Sequence, residues 1–164
     1  MTRRVFSLIF LLVTFFSSAQ MSNAKLNTIF NRESDSIQSN GNQWQMLYKD
    51  RVLLCVTDEN ANRMRIISPI AEIDKLDETE LKNALVANFH TALDVKYAIS
   101  DELIWSVFIH PLKELTEQQV VDALRQVYYA NLTFGGSYSS TTLVFPGNTK
   151  KVEKESPIKK LKKI

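Results

Sequence analysis

Residues 102–111 read Glu-Leu-Ile-Trp-Ser-Val-Phe-Ile-His-Pro, and the reading of this stretch decides the fold. Side chains alternate across a strand, so Leu103, Trp105, Val107 and Ile109 share one face while Ile104, Ser106, Phe108 and His110 share the other. The first face is wholly apolar and the second about half apolar. A strand at a solvated edge alternates more cleanly, so this one is expected inside a sheet, with something covering part of its second face. Pro111 ends it, because proline has no N–H to give to a ladder.

Working outward, Val95–Ile99 reads as the hairpin partner of this strand across Ser100-Asp101. Ahead of it, Leu81, Leu85, Phe89 and Leu93 recur every four residues in a helix whose start carries Asp77 and Glu80, a capping-box pair. Ala84 and Ala92 beside that stripe are small enough to let the helix lie close on a sheet. Three strands are expected earlier, over Gln43–Tyr48, Arg51–Thr57 and Arg63–Ser68, joined by the turn residues Lys49-Asp50 and Asp58–Asn62. The middle one is apolar on both faces, and Pro69 is expected to close the meander. A first helix is expected over Ser22–Gln38, with Leu26, Ile29, Phe30 and Ile37 on its apolar stripe and Asn40-Gly41-Asn42 as its stop. On the C-terminal side, Thr116 and Gln119 form a second capping box, and Val120, Leu124, Val127 and Tyr128 give the following helix its buried stripe. Gly135-Gly136 stops that helix, and Thr141–Phe145 reads either as a short β stretch or as an arm. The sum is an α+β domain: a five-stranded antiparallel sheet with helices, in the order α-β-β-β-α-β-β-α.

The 164 residues suffice for one domain, and 45% apolar with 10% aromatic residues is enough to bury a core. The formal charge of +2 divides unevenly. Lys150–Ile164 holds seven Lys against two Glu, whereas Gln20–Thr149 holds eleven basic against sixteen acidic residues. A nucleic-acid footprint needs basic residues on a folded face, and the expected folded part is acidic, so that class is set aside.

The N-terminus has the pattern of an export signal. Arg3 and Arg4 precede the nearly unbroken apolar run Val5–Phe16, and Ser17-Ser18-Ala19 offers small residues for a peptidase. Cleavage after Ala19 is expected, giving residues 1–19 as signal peptide, 20–147 as the domain and 148–164 as a Lys-rich disordered tail. The apolar run is short of the roughly 20 residues a membrane span needs, so a periplasmic or secreted protein with no span after cleavage is expected. The Lys tail is suited to weak contact with an anionic surface.

Chemistry-bearing residues are sparse. Cys55 is the single cysteine, so no intrachain disulfide can form, and its apolar surroundings read as a packed thiol. The two histidines, His90 and His110, fall in no catalytic motif, and the acidic run Asp74–Glu80 lacks the calcium-loop pattern. Gly135-Gly136 lacks the context of a phosphate loop, and Asn131-Leu132-Thr133 matches a glycosylation acceptor at a helix end. The sequence thus points to no catalytic residue, no metal ligand and no cofactor.

The order of elements carries one resemblance. The hairpin Val-Leu-Leu-Cys-Val-Thr-Asp-Glu-Asn-Ala-Asn-Arg-Met-Arg-Ile and the later Leu-Ile-Trp-Ser-Val-Phe-Ile, followed by Pro-Leu and a capped helix, resemble the type III secretion chaperone-like fold, including YbjN-like proteins. The resemblance covers about Asn23–Leu132. It implies a small homodimer that binds an extended polypeptide along its sheet and helix surface, without a cofactor. Secretion chaperones of that group act in the cytosol, whereas this chain carries the export pattern. The expected function is therefore an exported, non-enzymatic binding protein for a polypeptide or a second copy. Its interaction surface is expected on the second sheet face, at Ile104 and Phe108, with Ile29 and Phe30 of the first helix either beside it or closing it within one chain. A small exported hydrolase or ligand-binding protein, with a site assembled from His90, His110 or the carboxylates, is the alternative.

Overall fold

Local signals set the element boundaries. In the computed structural model, which describes residues 20–142, helix α1 spans Asn23–Glu33 and is capped by the Ser22 hydroxyl. The strands are β1 (Ser36–Asn40), β2 (Gln43–Tyr48), β3 (Arg51–Asp58) and β4 (Arg63–Glu72). A short 3-10 turn, Ile73–Lys75, leads to α2 (Glu78–His90), followed by β5 (Lys96–Ser100), β6 (Leu103–His110) and α3 (Glu117–Leu132). Both expected capping boxes are present, Asp77 with Glu80 on α2 and Thr116 with Gln119 on α3. The signal-peptide and Lys-tail expectations, residues 1–19 and 148–164, lie outside the described residues.

The sheet has six strands in the order β1-β2-β3-β4-β6-β5, all antiparallel, one more than expected. The added strand comes from the expected first helix, which stops at Ser34. Ile37 then sits in β1, opposite Met46. Of Asn40-Gly41-Asn42, expected as a helix stop, Asn40 ends β1 and Gly41-Asn42 form the two-residue turn of the β1–β2 hairpin, with Gly41 at φ +65°, and glycine at the first turn position is common in such hairpins. Pro69 does not close the meander. β4 runs on to Glu72 through a bulge between Pro69 and Ala71, and the bulge absorbs the N–H that proline lacks. The β5–β6 turn is tight, with Asp101 and Glu102 both at positive φ, as a two-residue hairpin of this hand requires. Ser137–Thr142 contains no strand, and residues 143–145 of that expectation are outside the described range.

Helix α3 lies over β4, β6 and β3, α1 packs on α3 and beside β1, and α2 sits against β5. The core fills the space beneath them, with Leu26, Phe30, Leu53, Ile66, Ile104 and Leu124 among its fully enclosed side chains. Phe30 meets Trp44 edge to face at 5.5 Å, and the Trp44 indole N–H donates to Asn27 at 3.1 Å. Polar groups fasten α3 to the sheet. Ser106 Oγ donates to the Val127 carbonyl at 3.0 Å, Tyr97 Oη donates to the Ala130 carbonyl at 2.9 Å, and Asn131 Nδ2 donates to both Ser68 Oγ and the Pro69 carbonyl. The Ala130 carbonyl lies in the last turn of α3 and has no partner within the helix, so the tyrosine supplies one.

The outer margin of β5 is closed in an unusual way. Asn88 of α2 accepts from the Tyr97 backbone N–H at 2.7 Å and donates to the Tyr97 carbonyl at 3.1 Å. Its side-chain amide thereby occupies the place of a neighbouring strand. Lys49, at the tip of the β2–β3 hairpin, lies 4.7 Å from the Tyr128 ring and 5.3 Å from Tyr129. Tyr128 also donates to Asp50 at 3.0 Å, so the hairpin tip is fixed to α3 by charge and ring contacts.

Candidate interaction surface

The four residues expected to form an interaction surface are core residues. Ile104 is 2% exposed and Phe108 5%, while Ile29 and Phe30, on the buried side of α1, are at 3% and 0%. The face they share is closed within one chain by α1 and α3, the second of the two arrangements the sequence left open. The physical reason is Ser106. A strand face holding a serine looked half solvated, yet its hydroxyl is satisfied by the Val127 carbonyl, and Thr57 and Ser68 are buried and bonded in the same way.

Sheet geometry then leaves the wholly apolar face outward. In the register, Leu54 of β3 pairs with Ile67 of β4, and Ile67 pairs with Val107 of β6. A second row joins Val56, Arg65 and Ile109, and a third places Trp105 beside Pro69 and Ala98. Leu47 and Val52, paired across the β2–β3 hairpin, extend the apolar area. Val56 is 42% exposed and Ile109 56%, and the helices lie on the other side of the sheet. Toward β1 the face becomes polar through Gln38, Gln43 and Gln45, which with Leu54 and Val56 line a shallow hollow of about 320 Å³. Contiguous uncovered apolar area with a polar margin is the usual mark of a contact surface. The signal for it was in the sequence, since Arg51–Thr57 is apolar on both faces.

A second apolar region lies on α2. Ala84 and Ala92 are buried, as expected, and Ala87 with them, which lets the helix approach β5, but the larger side chains face out: Leu85 is 70% exposed and Phe89 87%. Val86, Leu93 and Ile99 of β5 are exposed as well.

The remaining candidates are not brought together. His90 is exposed, its ring 4.9 Å from Phe89. His110 stacks on Phe108 at 5.9 Å, and its Nδ1 donates to the Pro111 carbonyl at 2.8 Å. Cys55 is wholly enclosed, and burial pushes its thiol far above the ordinary range, so it is a packed side chain and not a nucleophile. Among the described residues no group of three His, Cys, Asp or Glu side chains is placed to hold a metal ion.

No family model and no curated protein sequence matches the chain. Solved structures do. The chain is similar to one in the HopA1–SchA chaperone–effector complex, with a TM-score of 0.52 and 11% identity over 66% of this chain and 91% of that one. It is similar to one in the ExsC–ExsE complex, at 0.50 and 13% identity, covering 68% and 94%. A third likeness is to the structure of the Yersinia pestis type III secretion chaperone SycH with a stable fragment of YscM2, at 0.50 and 10% identity, covering 65% and 97%. At these identities the likeness is one of fold, and the chain has a type III secretion chaperone-like fold.

Proposed function

We propose that this protein is an exported, non-enzymatic polypeptide-binding protein, periplasmic or secreted, which holds its partner on the outer sheet face and pairs with a second copy through α2. The observation that carries the reading is the uncovered apolar face formed by β3, β4 and β6. Enclosing one large apolar side chain is worth roughly 1.5–3 kcal/mol, so leaving Val56, Ile109 and their neighbours in water forgoes stability that a partner can recover. Support also comes from the fold neighbours, each solved together with another polypeptide. The α2 stripe is assigned to the second copy because Leu85 and Phe89 project from one exposed helical face, and two such faces can pack against each other about a two-fold axis. Export rests on the pattern Arg3–Ala19.

Three measurements test these parts separately. Intact mass of the exported protein should begin at Gln20, and a mass retaining Met1–Ala19 counts against cleavage. Sedimentation of the wild type should give a dimer and Phe89→Glu a folded monomer; a monomeric wild type removes the pairing. For the partner, a fluorescent peptide of alternating leucine and serine should bind the wild type. It should fail to bind Val56→Asp/Ile109→Asp with an unchanged circular dichroism spectrum, and equal binding to both proteins removes the outer face as the site.

A further inference from the structure

The outer face is apolar but not uncharged. Arg65 stands within it, between Val56 of β3 and Ile109 of β6 in the register, and is exposed. The other two arginines on the sheet are engaged: Arg51 lies 3.4 Å from Asp50, and Arg63 donates to the Asn62 carbonyl at 3.5 Å. Among the described residues the Arg65 guanidinium has neither an ion pair nor a hydrogen bond. The nearby outward carboxylate, Asp58, pairs in register with Arg63 and already accepts from the Ala61 N–H at 2.9 Å.

We infer that Arg65 is the specificity-determining residue of this face, and that the partner is an apolar polypeptide segment carrying a carboxylate that pairs with it. This deepens the polypeptide-binding reading above and rests on it. A guanidinium presents a rigid fork of N–H donors that matches a carboxylate in two parallel hydrogen bonds, and apolar walls such as Val56 and Ile109 keep water from competing for them. Arginine framed by apolar side chains is also the common make-up of an interface hot spot. A second copy is the less suitable occupant. Two outer faces laid together would bring Arg63 and Arg65 of each copy into the same apolar layer, and like charges juxtaposed in an interface cost affinity.

The preference runs against the bulk field. Gln20–Thr149 carries sixteen acidic and eleven basic residues, so long-range attraction alone favours a cationic peptide. Three labelled peptides of alternating leucine and serine, identical except for a central Glu, Gln or Lys, separate the two effects by fluorescence polarisation. The wild type should bind the Glu peptide about tenfold tighter than the Gln peptide, with Lys weakest. Arg65→Glu should invert the order, and Arg65→Gln, which keeps the size without the charge, should abolish the difference between Glu and Gln. Binding of all three with no ranking, or a ranking that survives Arg65→Glu, overturns the role of Arg65 while leaving the polypeptide-binding reading standing. Binding of none overturns both.

Discussion

The two faces of the sheet differ in the opposite sense from what their composition suggests. The inner face carries Thr57, Ser68 and Ser106 and is dry, while the outer face is almost all aliphatic and aromatic at its centre and is wet. Coverage, not hydrophobicity, separates them. A hydroxyl costs little when its hydrogen bond is made, and each of the three has a partner supplied by an adjacent element. An aliphatic row stays in water when no described element lies over it. Serine and threonine in a strand thus report whether a bonding partner is near, and do not report solvent.

The inner side should be the more sensitive to substitution. Phe30→Ala removes a wholly enclosed ring and its edge contact with Trp44, and should cost about 3–5 kcal/mol. Against a typical total of about 5–15 kcal/mol, that should move the urea midpoint strongly, and a shift of under about 1 kcal/mol would mean that α1 does not close this face.

A smaller effect follows from Tyr97, whose phenol burial pushes up to about 12 from its ordinary 10. The folded protein holds this proton more tightly than the unfolded chain. The contribution is therefore complete below pH 10 and is lost as pH rises through about 12, each tenfold tightening of the proton being worth about 1.4 kcal/mol. Urea titrations at pH 9 and pH 12 should show a larger loss for the wild type than for Tyr97→Phe. Equal losses would place the phenol in solvent.

The outer side should respond least. Val56→Thr and Ile109→Thr keep the β-branched shape that suits a strand and add a hydroxyl where water already reaches, so each should change stability by no more than about 0.5 kcal/mol. The same pair should weaken peptide binding. A large loss of stability from either would show that the face is enclosed in the free protein.

Much of the fold was legible because its signals are local. Two capping boxes fixed the starts of α2 and α3, and strict alternation in Gln43–Tyr48 sets Trp44, Met46 and Tyr48 on one side, which is the buried one. What periodicity cannot supply is which face a distant helix will cover. In β6 it sorted Ile104, Ser106 and Phe108 correctly onto one face, and only the position of α3 made that the inner one. The exposed α2 stripe was hidden for the same reason. Leu85 and Phe89 recur like core residues, and the alanines that bring the helix to β5 turn them outward. β1 was missed because Gly41-Asn42 suits both a helix end and a hairpin turn, and a strand as polar as Ser-Ile-Gln-Ser-Asn gives almost no periodic signal.

The two-pronged contact of Asn88 with Tyr97 bears on how far this sheet can grow. A sheet with two bare edges can be extended copy by copy, each new molecule offering the next template, and such head-to-tail addition ends in a fibre because nothing closes it. Here one of the two outer strands is β5, and a molecule joining there must first displace an amide that already fills both bonding positions at Tyr97. One side chain thus obstructs addition at Tyr97 of that edge. Asn88→Ala should leave the edge open to it, read as light scattering that rises with time where the wild type stays flat.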